Sequence, residues 1–237
     1  MVRYFYPDGS LIEQGKDEGK TNFINFYSQV YYFMNKNTAL EKRIEKILAD
    51  IKDGVRINQS MMADFLEWKV DKHYFYLNKG DNVDTVGALD KRVIELDELF
   101  EVAKNIDINI PEGSVSKYLG ELIQFKGIGV VYAIAILYFC TGGTFPIYDR
   151  FAHIALMTIK QEKDFNTIVT EKERERQFHF NSSNVEVVAK DYVSYSKMLK
   201  EWLGEMTYNR KVDQALWAYG HLFSENKTNM ERCGINL

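Results

Sequence analysis

The chain has 237 residues, 46% of them hydrophobic and 14% aromatic, which is enough apolar mass for one large or two small cores and excludes a disordered chain. Its net charge of −4 excludes a generally basic, DNA-coating protein, although a local basic groove stays compatible with it. The 2 cysteines, Cys140 and Cys233, have neither CxxC nor zinc-ligand spacing and exclude a four-cysteine iron–sulfur cluster within one chain.

In chain order the pattern is helical, and the count of 3 prolines suits long helices. Residues 1–20 form an N-terminal arm or short hairpin, with a turn at Pro7-Asp8-Gly9. Thr21-Asn22 starts a first helix with Phe23, Phe26, Tyr27, Val30 and Tyr31 at helical spacing. Thr38 caps a second, with Glu41 completing a capping box and Leu40, Ile44, Ile47, Leu48 and Ile51 as its apolar face. A third runs from about Asn58 to Tyr76, and a fourth opens at Asp84-Thr85 and carries Leu89, Val93, Leu96, Leu99, Phe100 and Ala103. A fifth spans Val115 to about Phe125, a sixth Val130 to Cys140, where Gly142-Gly143 stops it, and a seventh Phe151 to about Ile159. Residues 160–186 break the pattern with the mixed-charge run 171–176 and read as a solvated insertion or a ligand-approaching loop. Helices return at about 185–206 and 211–223. The fold class is therefore all-α, with one helical domain over 21–237.

Met1 to Tyr6 opens no signal peptide, and the most apolar run, Val130 to Cys140, is too short to span a bilayer. A monomeric cytoplasmic protein without a membrane partner is expected.

The chemistry concentrates in Phe125-Lys126-Gly127-Ile128-Gly129 and, after an apolar helix, Phe145-Pro146-Ile147-Tyr148-Asp149-Arg150. Gly127 and Gly129 permit positive φ and close backbone approach. First-turn amides of the sixth helix and its dipole favour an anion beyond the turn, and a DNA phosphate is a natural occupant. Lys126 can add a charge contact, and so can Arg150, which also suits a surface ion pair. A tight helix–helix turn using glycine for packing fits the same residues.

Those two segments resemble the helix-hairpin-helix DNA glycosylase superfamily, in which a Gly-apolar-Gly hairpin precedes a helix, a loop and an aspartate. The interval from Gly129 to Asp149 matches the superfamily interval, and the Phe-Pro-Ile-x-Asp wording is closest to its adenine glycosylase branch. Glu67-Trp68-Lys69 and the stretch Asp213 to Ala218 are similar to a less characterised bacterial branch. The resemblance covers residues 119–156 directly, within a hairpin motif at 115–140. It implies two helical subdomains with a cleft, a hairpin (Lys126, Gly127, Ile128, Gly129, Val131) gripping DNA backbone, and a base flipped into the cleft. It also implies that Asp149 is catalytic. Glu67, Trp68, Lys69 and His153 are candidates for the base pocket, although Trp68 and His153 equally suit packing. Bifunctional members carry a lysine where this chain has Val131, and valine cannot form a Schiff base. The expected function is thus a monofunctional DNA glycosylase that removes a damaged or modified base and leaves an abasic site. No metal or cofactor is expected, and a monovalent cation at the hairpin turn is compatible with the motif.

A fixed carboxylate suits this reaction because cleaving an N-glycosidic bond builds positive charge on the sugar. Asp149 before a helix also suits an N-cap, and the two roles are compatible. The alternatives are a non-catalytic helix-hairpin-helix DNA-binding protein and, further off, a helical protein-interaction domain without salt-dependent DNA affinity.

Overall fold

The computed structural model describes residues 6, 10, 12, 16–35, 38–69, 75–78, 92–148, 150–160 and 184–224. Nine helices lie in these segments: α1 (Lys16–Met34), α2 (Thr38–Lys52), α3 (Gln59–Lys69), α4 (Leu96–Ala103), α5 (Val115–Leu122), α6 (Val130–Cys140), α7 (Arg150–Lys160), α8 (Val185–Leu203) and α9 (Arg210–Ser224). The described chain is mostly helical, with one short parallel pair of strands, β1 (Phe75–Asn78) and β2 (Arg92–Glu95), in register from Phe75↔Arg92 to Asn78↔Glu95. Two compact units divide the chain: residues 1–36, 148–179 and 195–237 form the first, and residues 37–147 and 180–194 the second.

Asparagine side chains start three of the helices. Asn58, Asn184 and Asn209 each accept backbone N–H groups of the first turn of α3, α8 and α9, from Met61 at 3.0 Å, Glu186 at 3.0 Å and Lys211 at 3.0 Å. Several boundaries differ from the sequence reading. Helix α1 begins at Lys16, five residues before Thr21. Helix α3 ends at Lys69, and Phe75 and Tyr76, expected to end that helix, instead open the strand Phe75–Asn78. Val93 lies in β2, so α4 starts only at Leu96. Aromatic and β-branched residues fit a pleated strand as readily as a helix, and the pairing partner lies far along the chain. Most of the N-terminal arm, and the insertion from 161 to 183, lie outside the described residues; the Tyr6 N–H donates to the Ser10 carbonyl at 2.8 Å.

In the first unit α9 packs against α1 and α7. Phe23, Tyr27 and Tyr219 are fully or almost fully buried, with edge contacts to Tyr219 at 5.1 and 4.9 Å. Gly220 makes the α7–α9 contact possible, since a Cβ there would lie 1.9 Å from the Phe151 carbonyl oxygen. Arg210 forms a buried ion pair with Asp213 and donates to the Tyr31 hydroxyl at 2.9 Å. Asp213 is thus a structural partner, and its pairing offsets the desolvation of both charges.

In the second unit α3 packs on α2, α4 and α6, and α5 on α4 and α6. Phe65 stacks on Phe139 at 4.5 Å. Residues 133 to 140 of α6 are all buried, so α6 is the unit's central rod. The chain enters it at the hairpin turn. Its exit is closed by paired bonds, Gly142 N–H to Phe139 O at 3.0 Å and Gly143 N–H to Tyr138 O at 2.8 Å.

Candidate nucleic-acid interface

Helix α5 ends at Leu122, three residues short of the expected Phe125, and the chain turns before α6. The Ile128 N–H donates to the Phe125 carbonyl at 3.0 Å, closing a four-residue turn. Gly127 occupies its third position with φ +88°, where L side chains are strained. Ile128 is 4% exposed, so its side chain plugs the turn into the core. Ile128, expected from the sequence to contact DNA, anchors the turn, with its amide engaged and its side chain buried.

Gly129 corrects the expectation of positive φ. It adopts φ −89° and ψ 175°, extended backbone open to any residue. Among the described residues, a Cβ at this position would meet no heavy atom within 4 Å. Neither dihedral nor packing demands glycine here. The first intrahelical bond of α6 runs from Ala133 N–H to Gly129 O at 2.9 Å. The amides of Val130 and Val131 precede that bond and point past the N-terminus, with the positive end of the helix dipole behind them. Gly129 is exposed and Val131 half-buried. A backbone anion can therefore approach these amides over an uncovered Cα.

The opposite flank of the turn has the other sign. Lys126 is exposed and lines a pocket of about 480 Å³ with Glu95, Glu98 and Glu121. Three carboxylates beside one ammonium disfavour a phosphate on that side, which leaves the Gly129 side as the less repulsive approach for an anion.

Beyond α6 the loop towards Asp149 is firmly held. The buried Thr141 hydroxyl donates to Leu137 O at 2.8 Å and accepts the Phe145 N–H at 3.2 Å. The Tyr192 hydroxyl donates to the Pro146 carbonyl at 2.8 Å, and the Tyr192 ring lies 5.9 Å from Phe145. Ile147 is 2% exposed. These bonds fix the backbone of the Phe-Pro-Ile stretch within the second unit.

The first unit then takes over. Tyr148 packs on Tyr195 at 4.8 Å, and the half-buried His153 lies 5.6 Å from Tyr148 and stacks on Tyr195 at 6.1 Å. Those ring contacts make His153 a packing residue of α7. Asp149 lies outside the described residues, and Arg150 is described only as the first residue of α7.

The other base-pocket candidates sit in the second unit. Trp68 is half-buried and donates its indole N–H at 2.7 Å to Glu41, which is 0% exposed. Its ring lies 5.5 Å from Phe65, and the Lys69 ammonium sits 5.7 Å over it. Trp68 is thus tied into α2–α3 packing rather than presented as a bare stacking wall. Glu67 is half-buried on the same helix. Glu41, expected from the sequence to complete a capping box, also accepts the Trp68 indole N–H through its carboxylate. The signal was present: Glu41 stands three residues before Ile44 and seven before Leu48, on the apolar stripe of α2. Sequence reading also passed over Gly220, whose signal is a lone glycine inside a helical pattern.

Cys140 is 3% exposed, and burial pushes its thiol well above the ordinary range, so it is an inert core thiol. Among the described residues no group of three or more His, Cys, Asp or Glu is arranged to hold a metal, and no helix is long and apolar enough to cross a membrane. Lys126 to Val131 and Glu67 to Lys69 belong to the second unit, whereas Arg150 and His153 belong to the first. No protein-family model, no curated protein and no solved structure matches this chain.

Proposed function

We propose that this chain is a monofunctional DNA glycosylase that excises a damaged or modified base and leaves an abasic site. The observation that carries the reading is Gly129. The chain's own packing and dihedrals give no reason for glycine there, whereas a phosphate seated against the amides of Val130 and Val131 does. The resemblance of Phe125 to Asp149 to the glycosylase hairpin and its aspartate supports the same reading.

In this mechanism the hairpin holds one phosphate and the Asp149 carboxylate acts on the flipped nucleotide. The bond from C1′ to the base nitrogen breaks, and its electron pair leaves with the base. Asp149 stabilises the positive charge on the sugar ring, then takes a proton from the water that attacks C1′. No amine stands at Val131 to displace the base covalently, so the strand stays intact.

The test uses duplexes carrying a panel of altered bases, together with DNA containing modified bases, treated with hot alkali after incubation. Strand breaks are expected only after alkali, and Asp149→Asn lowers their rate about 100-fold or more. Strand cutting without alkali contradicts the monofunctional mechanism. Salt-dependent DNA binding with no excision across the panel leaves a non-catalytic DNA-binding module in its place.

A further inference from the structure

The second unit carries a groove of about 860 Å³ that the hairpin does not use. One wall is the stretch after α2, Gly54 to Ile57, and the other the stretch after α4, Lys104 to Ile108. Its floor includes the buried side chains of Ile51, Ile106 and Cys140. We propose that this groove receives an extended peptide segment of a partner protein, with apolar side chains and a carboxylate placed against Arg56.

The N–H groups of Gly54, Val55, Lys104, Asn105 and Ile106 are bonded within the chain, but the outer part of each wall is not so closed. Arg56, Ile57 and Ile108 lie outside helices and strands, and their backbone N–H groups have no intrachain acceptor among the described residues. A strand laid between the walls supplies carbonyls to such amides, as in strand addition to a sheet edge. Apolar side chains stand at the mouth: Val55 is 46% exposed, and Ile57 and Ile108 are half-buried. Alternate side chains of an extended peptide fit against them.

Charge selects the occupant. Arg56 is exposed and forms no ion pair among the described residues. Lys104 is already paired with Glu101 at 2.5 Å. Asp107, on the other wall, accepts the Asn109 N–H at 2.9 Å and repels a second carboxylate. An acidic residue therefore belongs on the Arg56 side and a basic peptide is disfavoured.

The experiment measures fluorescence anisotropy of the full chain with two labelled heptapeptides, one alternating valine with glutamate and one alternating valine with lysine. Saturable binding of the glutamate peptide is expected, and little of the lysine peptide. Arg56→Glu reverses the preference, weakening the glutamate peptide about tenfold, while the circular dichroism spectrum stays unchanged because Arg56 is a surface residue. Failure of the wild-type chain to bind either peptide, or equal affinities in wild type and Arg56→Glu, overturns the proposal. A concentration-dependent dimer in sedimentation that Arg56→Glu abolishes makes the occupant a second copy, and overturns it too.

Discussion

Two glycines mark the difference between a closed contact and an open one. Gly220 is required by the protein itself, because α9 runs so near α7 that a Cβ would lie 1.9 Å from the Phe151 carbonyl oxygen. Gly129 has ordinary extended dihedrals and open space where its Cβ would be. The first glycine is explained by its packing, whereas the described residues around the second leave its Cβ space open, which is what the proposed phosphate contact would use. The same contrast separates the two ends of α6. Its C-terminal end is sealed by the Gly142 and Gly143 bonds and by Thr141, while its N-terminal end presents unsealed amides. Sealed backbone serves the fold, and unsealed backbone is available for a ligand.

Substitutions sharpen this contrast in decreasing order of effect. Gly220→Ala forces α7 and α9 apart and costs on the order of 3 kcal/mol or more; chemical denaturation measures it, and an unchanged midpoint breaks the claim that the crossing is closed. Thr141→Val removes the hydroxyl that takes the Phe145 N–H inside the buried loop. It costs about 1–3 kcal/mol, read as a lower melting temperature. Gly120→Ala is the opposite case. Gly120 lies within α5, and an added Cβ there meets nothing within 4 Å. It stabilises by about 0.5–1 kcal/mol through helix propensity and leaves DNA affinity unchanged.

Legibility in the sequence followed the range of the interactions. Helix α6 was bounded correctly because glycines flank an unbroken apolar run, and both the flanks and the run are local signals. The β1–β2 pair escaped because Phe75 and Arg92 meet only through tertiary pairing. At the site, the turn residues were visible, and so was the need for positive φ at Gly127. What Ile128 does was not, since its burial depends on the whole second unit. The carboxylate of Glu41 taking the Trp68 indole N–H is likewise a contact between helices, hidden from a reading that takes each helix by itself. The acidic flank beside Lys126 joins Glu95 of β2 and Glu98 of α4 to Glu121 of α5, and no linear motif announces it.

The most direct measurement is the DNA affinity of Gly129→Ala as a function of salt, taken beside its thermal stability. The melting temperature is expected to change only slightly, since the loss of a glycine N-cap, roughly 0.5–1 kcal/mol, is offset by the smaller unfolded-state entropy of Ala at a position whose extended dihedrals it can adopt, about 0.4–1 kcal/mol. Affinity is expected to fall about tenfold, with a shallower dependence on salt as one phosphate contact is lost. Unchanged affinity and an unchanged salt slope would show that no backbone anion sits at the N-terminus of α6, and would contradict the account.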